Sequence, residues 1–228
     1  MWVRILSITA VAALLLAACS ASPEAPSTRP AAEAAEEASA PAKVEPLTRK
    51  QARAMLVRVK DLPSGWGSVP EGESGFDWTV RPKACEWVLT TPARFPTEDL
   101  AVAVFTDGSS VFASSFSQRV YRVKGKSASW RLDQLRKHLG NCGKFTFTND
   151  QGTEKHRISE VSFPAFGEDS IAVRDTIVWT DGNTYTDDSV YVAVRGATIR
   201  FMSTGSATPL PGGELEQLVR ASMSRLPD

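Results

Sequence analysis

An antiparallel α+β domain is the fold class that this sequence predicts, and three observations predict it. Segments rich in alternating apolar and β-branched residues crowd together between positions 145 and 203. Turn signals such as Asp181-Gly182-Asn183 and Arg195-Gly196-Ala197 separate them, rather than helices. Helical periodicity falls instead near residues 48, 130 and 215, outside that block. Strands segregated from helices in this way argue against a parallel βαβ sheet. The expectation is one domain, residues 47–228, with an antiparallel sheet and helices packed on one side.

Two segments precede the domain. Residues 1–18 have a basic start at Arg4 and an apolar run over 5–18, interrupted only by Ser7 and Thr9. That run is too short for a permanent span and reads as an export signal. It closes on Leu16-Ala17-Ala18-Cys19, which is similar to the lipobox of a bacterial lipoprotein signal. The similarity implies cleavage before Cys19 and acylation of its thiol and new amino terminus. Several acyl chains, at roughly 0.8 kcal/mol per buried methylene, hold a protein stably on a bilayer. An ordinary signal peptide cut at the same small residues would instead leave a free thiol. The Leu ahead of the two Ala residues, and the tether that follows, favour lipidation. The expected location is extracytoplasmic, anchored to the cell membrane.

Residues 19–46 read as that tether. From Ser20 to Pro46 the only aliphatic side chain larger than Ala is Val44, and there is no aromatic residue or Gly. Ala, Glu, Pro and Ser in these proportions bury too little apolar surface to offset the entropy of ordering. The expectation is a disordered stalk with a reach on the order of 30 Å.

The domain opens with a helix. Thr48 and Gln51 form a capping box, and Leu47 with Ala52 stands as the hydrophobic staple. Ala52, Met55, Leu56 and Val59 then share a helical face, and Asp61-Leu62-Pro63 stops the run. A Gly-rich stretch with Trp66, Phe76, Trp78 and Trp87 follows. Strands are expected at 100–106 and 111–123, joined through Asp107-Gly108. A second helix, 129–139, carries Trp130, Leu132, Leu135 and Leu139, with Gly140 placed to end it in the left-handed conformation. Strands at 145–148, 157–163, 171–180, 189–195 and 197–203 follow as a meander. An amphipathic helix over 214–226, with Leu215, Leu218, Val219 and Met223 inward, closes the chain.

With Cys19 assigned to lipid, Cys85 and Cys142 remain. In an oxidising compartment an even pair is most simply a disulfide. Closing that loop stabilises by roughly 4 kcal/mol in the chain-entropy model. The competing role, a cysteine nucleophile, needs a base, and nothing ties His138 or His156 to either cysteine.

Catalytic and metal signatures are lacking in the residue order. There is no G-x-S-x-G, H-E-x-x-H, P-loop or G-x-G-x-x-G pattern. His138 lies beside Arg136 and Lys137 on a basic helix face, where a solvated side chain is expected. Asp181-Gly182-Asn183 with Asp187 and Asp188 lacks the glycine and terminal glutamate of a calcium loop, so it reads as a hairpin turn. Glu98-Asp99 and Glu168-Asp169 are sequence neighbours, which a strand points to opposite faces. Lys and Arg total 26 and so do Asp and Glu, which gives no nucleic-acid footprint. No catalytic residue, metal or cofactor is expected. Exposed aromatic rings in loops suit stacking on a ligand, so Trp66, Trp78, Arg81 and Trp179 are the candidate walls of a binding cleft.

The sequence of features has a counterpart. A lipobox, a Pro-rich stalk, a helix ending in Asp61-Leu62-Pro63-Ser64-Gly65-Trp66, Cys85, a strand pair, a helix reaching Cys142 and a hairpin through Arg195-Gly196 follow one another. In this order the chain resembles the PknH-type extracellular sensor domain of actinobacteria. The resemblance implies an antiparallel sheet, helices on one side and a cleft for an unidentified ligand. It also implies two disulfides, of which Cys85 and Cys142 supply one. The resulting expectation is a non-catalytic, membrane-anchored module that binds a small molecule, a cell-wall fragment or an envelope protein. A lipid carrier is the alternative, and a hydrolase without a recognisable motif is a third.

Overall fold

A computed structural model describes residues 45–71, 78–90, 95–108, 113–205, 210 and 212–226. The export signal, Cys19, nearly all of the stalk, Phe76 and the start of the strand expected at 111 lie outside the described residues.

Among the described residues nine strands form a single sheet in which every pairing is antiparallel. In chain order they are β1 (Gly67–Val69), β2 (Thr79–Arg81), β3 (Thr97–Thr106), β4 (Ser115–Val123), β5 (Lys144–Asn149), β6 (Gly152–Val161), β7 (Asp169–Val178), β8 (Thr184–Val194) and β9 (Ala197–Gly205). The four α-helices among the described residues are α1 (Arg49–Ala54), α2 (Glu86–Leu89), α3 (Trp130–Leu139) and α4 (Gly212–Met223). Across the sheet the strands run β1-β3-β4-β9-β8-β7-β6-β5-β2. Five consecutive strands thus make a meander, and the β3–β4 hairpin joins it at β9. The antiparallel α+β class expected from the sequence is the class the chain adopts.

Alternation along the strands builds two cores. Val190 and Val192 belong to one apolar cluster with Phe116, Val120, Ile199 and Phe201, whereas Tyr191 and Ala193 belong to another with Phe145, Ile158, Ile171 and Val173. Neighbours on a strand point to opposite faces, so the clusters lie on opposite sides of the sheet. Ala52 of α1 and Leu215, Leu218 and Val219 of α4 cover the first. Leu132 and Leu135 of α3, with Val88 of α2, cover the second. The helices therefore divide between the faces instead of sharing one side. A sheet with apolar residues on both faces needs both covered.

Cys85 and Cys142 form a disulfide with a Cα–Cα separation of 5.3 Å, and both are buried in the second cluster. Gly140 does not take the left-handed conformation expected of it: its φ and ψ are −58° and −31°. The right-handed turn runs on, with Asn141 N–H donating to His138 and Cys142 N–H to Leu139, and so delivers Cys142 to its partner.

The first helix is also shorter than its periodicity predicts. The capping box forms, with Gln51 N–H on Thr48 Oγ1 at 3.2 Å and Thr48 N–H on Gln51 Oε1 at 2.8 Å. The helix nevertheless ends at Ala54, capped by Met55. Val57 N–H donates to Gln118 Oε1 at 2.7 Å, and the Leu56 carbonyl accepts from Arg225 at 2.9 Å, so neither group is left for a helix. Val57 is buried and Val59, expected inward, is 45% exposed on a 3₁₀ turn. Two β-branched valines in a third turn add little helix propensity against those tertiary bonds.

Candidate functional site

Register places the site. Tyr191 on β8 lies opposite Arg200 on β9, and Arg200 lies opposite Arg119 on β4. Residues directly opposite share a face, so three strands present an aromatic ring and two guanidiniums in a row. Tyr121 sits two residues beyond Arg119 and joins the same face. Arg131, the second residue of α3, meets this row from the helix. With Leu89, Thr90 and Thr97, these five side chains line a cavity of about 80 Å³.

The cations have unequal surroundings. Arg119 is a half-exposed partner of Asp99, bonded through Nε and Nη2 at 2.6 Å each. Arg131 is 1% exposed. Its Nη1 donates to the Trp87 carbonyl, and its Nη2 is buried without a hydrogen-bond partner. Arg200 turns Nη2 toward Ser189 Oγ at 3.3 Å and Met202 Sδ at 2.9 Å, while its buried Nε has no partner. The Tyr191 ring lies 5.6 Å from the Arg131 guanidinium carbon and 5.5 Å from that of Arg200. Burial pushes the Tyr121 hydroxyl up to about 12, against the opposing pull of Arg131, so it remains a neutral donor. Asp187 lies along the same face, and burial raises its carboxyl to about 6 although Arg200 lowers it.

A second concavity lies on the other face of the sheet, beyond the helices. It is an open trough of about 690 Å³ over β5, β6 and β7, with the exposed cations Arg81, Lys144, Lys155 and Arg157 on its rim. None of these four has a carboxylate partner among the described residues.

The two histidines differ in exposure. His138 is partly exposed on its basic helix face and stacks on Trp87 with 6° between planes, and burial lowers its pKa ahead of Lys137 and Arg131. His156 is buried against Phe145, with Nδ1 2.7 Å from Asp175 Oδ2 and Nε2 3.3 Å from Glu154 Oε2. Burial raises the Glu154 carboxyl, and His156 opposes that shift. Among the described residues no serine or cysteine hydrogen-bonds either ring, and no three His, Cys, Asp or Glu side chains are grouped to hold a metal.

The extracellular domain of PknH has this fold. That domain, from Mycobacterium tuberculosis, aligns with a TM-score of 0.58 over 78% of this chain and 98% of its own length, at 14% identity. A putative uncharacterized protein from Mycobacterium smegmatis aligns with a TM-score of 0.42, covering 73% of this chain and 92% of its own, at 9% identity. No family model and no curated protein sequence matches the chain. At 14% identity the PknH-like architecture is shared, and the roles of individual residues are this chain's own.

The four residues singled out from sequence are spread over the domain. Arg81 lines the trough. Trp66 packs partly buried on the core of α1 and α4, Trp78 stacks on Phe147 at 5.6 Å, and Trp179 meets Tyr185 at 6.0 Å beside the β7–β8 turn. These three line neither the cavity nor the trough. Sequence reasoning missed Arg119, Arg131 and Arg200. One signal was present: Arg131 falls between Ala128 and Leu135 at helical spacing, on the apolar stripe of α3.

Proposed function

We propose that the chain is a cell-envelope lipoprotein, held at the membrane by an acylated Cys19, whose PknH-like domain is a non-catalytic ligand-binding module of the sensor type. The lipobox and stalk support the anchor. The Cys85–Cys142 disulfide and the architecture shared with an extracellular domain support a place outside the cytoplasm. One observation carries ligand binding: Arg131, which is buried, and Arg200, which is half-buried, line one cavity, and each keeps a buried N–H that no protein atom accepts. Buried polar groups are nearly always bonded, and an orphaned cation is the expensive kind of exception. The cavity of about 80 Å³ is far smaller than the tunnel a lipid carrier needs, and the trough of about 690 Å³ is an open groove, not a tunnel.

The test is native mass spectrometry of the full chain extracted from its own membranes, with labelled palmitate feeding in parallel. A retained small ligand together with acylation at Cys19 is expected. Label absent from the wild type, or a Cys19→Ala form still fractionating with membranes, contradicts the anchor. Bare protein under gentle extraction contradicts the ligand.

A further inference from the structure

The cavity between α3 and the β4–β9–β8 row holds a charge imbalance that the protein leaves open. Three guanidiniums reach it; among the described carboxylates only Asp99 is hydrogen-bonded to any of them, and Asp187 attracts Arg200 without a hydrogen bond. Arg131 has a carbonyl and a ring for company and is 1% exposed. Those contacts offset only part of the cost of burying a cation. Arg200, its neighbour on the same ring, adds like charge. Both retain a buried N–H that donates to nothing: Nη2 of Arg131 and Nε of Arg200.

Size and donor arrangement narrow what completes the site. The cavity of about 80 Å³ has room for a group the size of phosphate. A carboxylate is satisfied by the fork of one arginine. Here the guanidiniums of Arg119, Arg131 and Arg200 come from two strands and a helix and line the cavity with Tyr121 and Tyr191. Such a wall suits an acceptor with oxygens in several directions. We infer that the cavity binds a compact tetrahedral oxyanion of the phosphate type, as a free ion or as the terminal group of a larger envelope molecule. The inference rests on the ligand-binding reading above and names its chemistry.

The experiment is calorimetric titration of the full acylated chain in detergent, freed of phosphate, with inorganic phosphate, glycerol phosphate, sulfate and acetate. Single-site binding of phosphate or glycerol phosphate, with acetate silent, is expected. Preference for inorganic phosphate marks the free ion, and preference for glycerol phosphate marks a terminal group. Arg131→Met and Arg200→Met keep side-chain bulk and should weaken binding by roughly tenfold to a hundredfold, the effect of losing a charge-assisted hydrogen bond. Lys155→Ala, in the trough, should leave it unchanged. If either Met variant fails to fold, Arg200→Lys keeps the charge without the Nε donor and should still weaken binding. Silence toward phosphate, glycerol phosphate and sulfate overturns the inference. So does binding that survives both Met variants and disappears with Lys155→Ala. A neutral ligand found in the native spectrum sinks the oxyanion and spares the ligand-binding reading. Bare protein together with silent titrations sinks both.

Discussion

Arg131 of α3 and Arg200 of β9 share one aromatic ring, each guanidinium carbon standing within 5.6 Å of the Tyr191 centroid. Two like charges that meet between a helix and a sheet repel each other. In anion-free buffer Arg131→Met should therefore be as resistant to urea as the wild type, or more so, because an incompletely paired buried cation is replaced by an apolar chain of similar length. A loss above roughly 2 kcal/mol would show that the Trp87 carbonyl and the ring already satisfy Arg131. Phosphate should raise the Tm of the wild type and leave that of the variant in place.

Asp187 supplies a pH dependence whose sign follows from its surroundings. Burial raises its carboxyl from 3.8 to about 6, with Asp175 pushing the same way and Thr204, Arg200 and His156 opposing. The folded protein therefore holds the proton more tightly than the unfolded chain. This contribution is complete below pH 3.8 and is lost as pH rises through about 6. Asp187→Asn should match the wild type in Tm near the lower bound and exceed it at neutral pH. A gap that stays constant across that window would contradict the assignment.

Gln118 is wholly buried, and it joins three parts of the fold. Its oxygen accepts from Val57 N–H at 2.7 Å and its amide donates to Ser222 Oγ at 2.8 Å, linking β4 to the chain after α1 and to α4. Gln118→Leu leaves a buried N–H and a buried hydroxyl without partners. It should cost about 2–4 kcal/mol in chemical denaturation. A cost below about 1 kcal/mol would mean that the two groups find other partners.

The Cys85–Cys142 bond spans 57 residues of sequence. Replacing both cysteines by Ala should lower stability by about 4 kcal/mol on the chain-entropy model, read from the urea midpoint at unchanged fold. The sheet's circular dichroism should persist, because Leu132, Leu135 and Val88 still cover that face. Equal stability with and without reductant in the wild type would contradict a closed bond.

Much of the fold was legible because its signals are local. Asp181-Gly182-Asn183 closes its hairpin, with Trp179 N–H on the Asn183 carbonyl at 2.9 Å and Gly182 at φ +86°. Glu98 and Asp99 diverge as strand neighbours should, one to Arg49 and the other to Arg119. What stayed hidden was set by distant partners. Gln118 and Arg225 take the backbone groups that would have lengthened α1. Three-residue strands such as β1 and β2 are too short to show alternation. The site was the least legible part. A strand residue such as Arg200 reads as solvent-facing when nothing in the sequence says what packs over it, and its companions Arg131 and Arg119 lie 69 and 81 positions away.

The most direct measurement is a crystal structure of the protein grown with selenate in place of phosphate. An anomalous selenium peak is expected in the arginine–tyrosine cavity, with its oxygens at about 3 Å from guanidinium nitrogens of Arg131 and Arg200. A cavity holding only water, with selenium on the open trough by Lys144 and Arg157 or nowhere, would contradict it.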